Sequence, residues 1–158
     1  ELHEGETPAA VNGKSICPLF TNDGDHHDAI LYGYFGRDIN LADGRYTYCR
    51  QPLPDSFSYN HIGNIPQFCE PKGRNALANA EHGIFLSHTH DIPHYRIKSN
   101  SQIHHNAPDF NPIYDILEDP EQQNPIRDEA LEANLAAKMK ELLGRYNSPE
   151  CQYERVGL

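Results

Sequence analysis

The sequence predicts an α+β fold: a small antiparallel β-sheet with a long C-terminal helix. Three observations carry that expectation: a hairpin signal about Asp43-Gly44, short strand-like runs around it, and a single helical apolar stripe after Asp128. The strand series opens with residues 29–35 (AILYGYF), which Gly36 ends. Residues 38–50 (DINLADGRYTYCR) follow as a hairpin about Asp43-Gly44, the dipeptide that a tight type I′ turn favours. A two-residue loop there pairs Leu41 with Tyr46 and Ile39 with Tyr48, placing four bulky side chains on one face. Asp38, Asn40, Thr47 and Cys49 then fall on the other, as a half-buried antiparallel sheet requires.

Residues 51–83 carry Pro52, Pro54, Pro66 and Pro71 with Gly63, Gly73 and Gly83, and read as one long connection. Loops of that length inside a domain are commonly functional. Residues 84–86 and 95–97 are expected as two short strands around Asp91-Ile-Pro93, and residues 113–117 as another after a polar stretch from Ser99 to Asn111. In the last element Leu131, Leu135, Met139, Leu142 and Leu143 recur at helical spacing. Asp128 is placed to cap its start, and Gly144 is expected just past its end.

Composition bounds the partners. Leu, Ile, Val and Phe make up 33 of 158 residues, close to the roughly 20% floor below which a charged chain fails to build a core. The formal charge of −10 disfavours a nucleic-acid partner. No run approaches the roughly 20 apolar residues that a membrane-spanning helix needs. The sole methionine is Met139 and the chain opens at Glu1, so the small core is expected to belong to a longer protein. Cys17, Cys49, Cys69 and Cys151 form no Cys-x-x-Cys pair, and the compartment stays open.

The chemistry-bearing residues are mostly histidines, ten in all. In residues 88–94 (HTHDIPH) a strand would set His88 and His90 on one face, where two imidazoles could share a metal with His94 or Asp91 as a third ligand. The other reading is polar cleft residues without a metal. The adjacent pairs His26-His27 and His104-His105 would diverge in a strand. Cys69, in CEPKGR before Arg74, reads as an ordinary loop cysteine, because no helix N-terminus follows to lower its pKa. Gly-rich phosphate loops, Gly-x-Ser-x-Gly elbows and His-Glu-x-x-His pairs are absent from the sequence.

Three segments, in this order, resemble the C-terminal third of the sulfatase family. Residues 11–20 (VNGKSICPLF) resemble its GxSLxPLL stretch, residues 44–49 (GRYTYC) its RYKYI strand, and residues 112–125 (PIYDILEDPEQQNP) its LYDLxxDPxExxNL segment. The tail from Cys151 to Leu158 resembles that of a bacterial subgroup. The resemblance implies a sulfuric ester hydrolase of the alkaline-phosphatase superfamily, which uses a formylglycine and a calcium-type ion. Both belong to segments upstream of those matched here, so no catalytic residue carries over to this chain. By this resemblance residues 1–27 are an irregular lead-in from the catalytic domain, and 28–158 a C-terminal subdomain packed on that domain.

Specificity for a sulfated small molecule or carbohydrate would then come from loops of this subdomain. Tyr59, His61, His88 and His90 are the expected substrate-binding residues. The alternatives are a phosphodiesterase or phosphonate hydrolase of the same superfamily, and a stand-alone histidine-rich metal-binding module.

Overall fold

A computed structural model describes residues 13–21, 26–63 and 78–158. The elements are α1 (Cys17–Phe20), β1 (Ile30–Gly33), β2 (Ile39–Ala42), β3 (Tyr46–Arg50), β4 (Phe57–Ile62), β5 (Glu81–Gly83), β6 (His94–Asn100), β7 (Ile113–Asp115), α2 (Glu129–Arg145) and α3 (Glu150–Val156). The α+β class holds, but the strands form two antiparallel sheets rather than one. The first has the order β1-β2-β3-β7 and the second β4-β6-β5.

The expected hairpin joins β2 to β3 in a different register. Leu41 pairs with Tyr48 and Ile39 with Arg50. The reason is the Asp43 carboxylate, which accepts from the backbone N–H groups of Arg45 and Tyr46 at 3.2 and 2.8 Å. Asp43 therefore precedes the loop, and Gly44 (φ +88°) and Arg45 form it. Because side chains alternate with period two, this slip leaves the face assignment intact. Leu41 and Tyr48 are fully buried, and Ile39 and Tyr46 pack beside them. The opposite face is less polar than expected: Thr47 is buried, while Ile30 and Tyr32 stand about half exposed on the outside of the sheet.

Helix α2 covers the inner face. Asp128 caps it, accepting from the N–H groups of Ala130 and Leu131 at 2.9 and 3.0 Å. Such a cap contributes about 1 kcal/mol. Leu135, Met139, Leu142 and Leu143 close the core against Ala29, Leu41, Tyr48 and Ile113. The helix does not stop at Gly144. It runs to Arg145, and the left-handed residue after it is Asn147 (φ +52°), with Asn147 N–H donating to Gly144 and Ser148 N–H to Leu143. Asparagine thus supplies the left-handed end that glycine was expected to supply.

The tail forms α3, which the sequence reading did not anticipate, and it is latched to the first sheet. Arg50 donates from Nε to the Val156 carbonyl at 2.7 Å and from Nη2 to the Gly157 carbonyl at 2.6 Å. Its Nη1 donates to the Tyr48 hydroxyl at 2.8 Å, which itself donates to Glu132 at 3.1 Å. Burial pushes the Tyr48 phenol up to about 12, so it stays a neutral donor to the Glu132 carboxylate.

The 51–83 segment is not a single loop: β4 and β5 both fall within it. The strand expected at 84–86 lies three residues earlier, at Glu81–Gly83. In the second sheet Tyr59 pairs with Lys98 and His61 with Arg96, so Phe57, Tyr59 and His61 share a face with His94, Arg96 and Lys98.

Candidate functional site

The segment expected to present His88 and His90 from a strand does not form one. Residues Ser87–Thr89 make a single 3-10 turn, and His90 and Asp91 both take left-handed backbone conformations (φ +48° and +60°). Two such non-glycine residues in succession cost on the order of 1–3 kcal/mol each. Their bend carries the chain from the turn into β6. The Thr89 hydroxyl pins the turn by donating to the Leu86 carbonyl at 2.8 Å. His88 and His90 consequently line a cavity of about 530 Å³ together with His61, His94, Leu86 and Ile92. His88 and His90 are exposed at its rim, whereas His94 is only 6% exposed.

Tyr59 is not part of this cavity. It lies further along the β4 face, edge-on to His61 at 6.4 Å between ring centres, with the Arg96 guanidinium 4.6 Å from its own ring centre. Of the expected four, the cavity brings together His61, His88 and His90, and adds His94, which the sequence had offered only as a metal ligand. Arg96 is the other functional-looking residue that the sequence reading passed over. Its guanidinium stands over Phe85 at 4.1 Å as well as Tyr59, and forms a two-pronged pair with Glu81 at 3.2 and 2.9 Å. It serves the wall of the site as a clamp between strands.

The cavity has a defined hydrogen-bond polarity. His94 Nδ1 lies 3.2 Å from the Ile92 carbonyl, and a carbonyl only accepts, so Nδ1 carries the proton. In the neutral ring, Nε2 is then an acceptor, and it receives the Nδ1–H of His61 at 3.1 Å. Neutral His61 is thereby left with an unprotonated Nε2. Burial lowers the His61 pKa, and the charges of His94, Arg96 and His88 lower it further, which keeps that nitrogen a lone-pair acceptor near neutral pH. The site can accept hydrogen bonds from hydroxyl groups at His61, with adaptable imidazoles at the rim and apolar contact from Leu86 and Ile92.

Among the described residues, no three His, Cys, Asp or Glu side chains are placed to share a metal ion, the trio His88, His90 and His94 included. Neither do the described residues fit the calcium-type ion or the formylglycine that the family resemblance implies. Cys17, Cys49 and Cys151 are free thiols. Burial and the Asp38 carboxylate push the Cys49 thiol up to about 11, and burial also raises that of Cys151. Cys69 lies outside the described residues. The paired histidines do not diverge: the His104 and His105 rings stack at 4.5 Å, and His26 and His27 meet edge to face, because neither pair sits in a strand. No protein-family model, curated protein or solved structure matches the chain.

Proposed function

We propose that this chain is the C-terminal part of a sulfuric ester hydrolase, non-catalytic by itself, which completes the substrate pocket of a catalytic domain and holds a sulfated small molecule or carbohydrate through the histidine cavity. The observation that carries this reading is where the resembling segments sit. Strand β3, from the second segment, pairs directly with β7, from the third, and Arg50 of β3 grips the carbonyls of the tail. The second and third segments and the tail, far apart in sequence, thus form one packed unit, as parts of one subdomain would, while residues 13–20 of the first segment lie exposed. The half-exposed Ile30 and Tyr32 on the outer face of that unit are the kind of surface that a larger neighbouring domain covers. Formylglycine and the calcium-type ion belong, on this reading, to that domain.

Within the cavity His61 Nε2 takes a sugar hydroxyl proton as hydrogen-bond acceptor, while His88 and His90 donate to sulfate oxygens from the rim. Two measurements test this. The coding DNA upstream of Glu1 is expected to hold a C/S-x-P-S/A-R motif, and a start codon directly before Glu1 would refute the reading. A sulfated hexosamine titrated into the chain is expected to shift the His61, His88 and His90 ring resonances, and His61→Ala to weaken binding about tenfold, as loss of one buried hydrogen bond does. Turnover of an aryl sulfate by this chain alone would contradict it.

A further inference from the structure

On α3, away from the histidine cavity, a buried cation has no ionic partner among the described residues. Arg155 is only 4% exposed, yet among the described residues it takes part in no ion pair. Its Nε donates to Gln152 at 3.0 Å and its Nη1 to the Arg37 carbonyl, while Nη2 donates to no group among the described residues. Buried charges are ordinarily paired, because stripping water from an ion costs several kcal/mol. Arg155 lines a cavity of about 360 Å³ whose other walls include Tyr32, Tyr34, Phe35 and Tyr146.

The cavity is built by the β1–β2 loop. Gly33 lets the chain turn back on itself: at φ +155° a side-chain Cβ there would lie 2.6 Å from the Asp38 carbonyl oxygen. The loop closes with Arg37 N–H donating to the Tyr34 carbonyl at 3.1 Å. This leaves Tyr34 83% and Phe35 54% exposed beside a buried guanidinium. An aromatic rim around a guanidinium whose Nη2 donors are unspent fits a ligand with an aryl body and a single oxyanion. The one carboxylate among the described lining residues is Asp38, which lies within electrostatic reach of Arg155 without pairing to it.

We propose that this cavity is a binding site for small aromatic oxyanions, carboxylate or sulfate, with Arg155 Nη2 as the anion donor and Tyr34 and Phe35 as the aryl wall. Asp38 tunes the site by weakening it.

The test is a titration of the whole chain with benzoate, phenyl sulfate and the neutral isostere benzamide, followed through the Arg155 side-chain and Gly36 amide resonances. Benzoate or phenyl sulfate is expected to bind, separating the two oxyanion chemistries by relative affinity, and benzamide to bind at least tenfold more weakly. Asp38→Asn is expected to tighten oxyanion binding about threefold, the effect of one removed like charge at solvent-screened range. Tyr34→Ala is expected to loosen it about fivefold, as loss of an aromatic contact does. Arg155→Gln abolishes binding if it folds. If it does not, the exposed Tyr34 and loop Asp38 variants still decide the matter. Equal binding of benzamide, or an Asp38→Asn protein that remains folded and binds no more tightly, would overturn the proposal and leave Arg155 as a latch on the Arg37 carbonyl. Histidine variants leave this binding unchanged, so it stands or falls apart from the sulfated-ligand reading.

Discussion

The two sheets are held together by different physics. The first is closed by apolar packing: Leu41, Tyr48 and Met139 are completely excluded from solvent, with five further core residues around them. The second buries only Ile62 and Ile97 among its strand hydrophobics, each still 8% exposed, alongside the polar Ser58 and His94. Its open face is knitted by cations over aromatic rings, Lys98 above Phe57 at 3.8 Å and Arg96 between Tyr59 and Phe85, and by the imidazole pair. One sheet is an apolar frame, and the other is a surface held largely by polar and aromatic contacts. Local stability is rarely uniform across a fold, and here the difference follows the division into two sheets.

That separation is open to a direct challenge. Leu41→Ala removes a side chain with no exposed surface and is expected to cost about 2–5 kcal/mol of unfolding free energy in urea. His94→Gln, in the other sheet, is expected to cost less than half as much. Equal losses would erase the distinction between frame and surface.

A smaller effect sharpens what the frame consists of. Tyr48→Phe keeps the ring in the core but deletes the hydroxyl that joins Arg50 to Glu132. The expected loss is about 1–2 kcal/mol, because two charged groups each lose a hydrogen bond. In the unsubstituted protein one tyrosine should remain un-ionised in ultraviolet titration beyond the ordinary phenol range, its pKa lying near 12.

The smallest effect belongs to the second sheet and depends on pH. His61 has a folded pKa below its ordinary 6.5, so the unfolded chain takes up the proton first. Stability is therefore complete above about pH 6.5 and falls as pH drops from there through the lowered folded value, where His61 protonates in the native state as well. His27 shifts in the same direction, so His61→Asn should flatten part of the slope and not all of it. The lowered carboxylates, Asp115, Asp28 and Glu81, act only below about 4.5. A midpoint that falls between pH 7.5 and 5.5 as steeply in the variant as in the unsubstituted chain would show that His61 does not contribute to the slope.

What the sequence made legible follows the same division. The frame could be read because its signals are periodic: Ile39, Leu41, Tyr46 and Tyr48 share a face in both the expected and the observed two-residue-loop register, and the stripe from Leu131 to Leu143 repeats with the helix. The details of that frame were set by single polar groups. The Asp43 carboxylate captured two amides and moved the loop by one residue, and Asn147 took the left-handed position expected of Gly144. The histidine surface was legible in its members and not in its geometry. His61 and His94 are 33 residues apart, and the protonation of each ring is dictated by the Ile92 carbonyl, a backbone atom that no residue pattern reveals. Alternation in residues 57–62 (FSYNHI) was the signal for β4, hidden by the surrounding prolines. Arg155 gave no local sign at all, because its isolation is a property of what surrounds it.

The grip of Arg50 on α3 also bears on how this unit comes to be folded. Arg50 and Val156 are separated by 106 residues, and β3 meets β7 across nearly 70. Closing such long loops spends chain entropy before the contacts return anything, which slows folding. During synthesis the first hairpin can form as soon as it emerges, but its buried face has no partner until α2 follows, and the Arg50 side chain stays unlatched until α3 is made. The apolar stripe from Leu41 to Tyr48 is therefore exposed for most of the time that this region is being translated, and this is the interval in which a chaperone would find it.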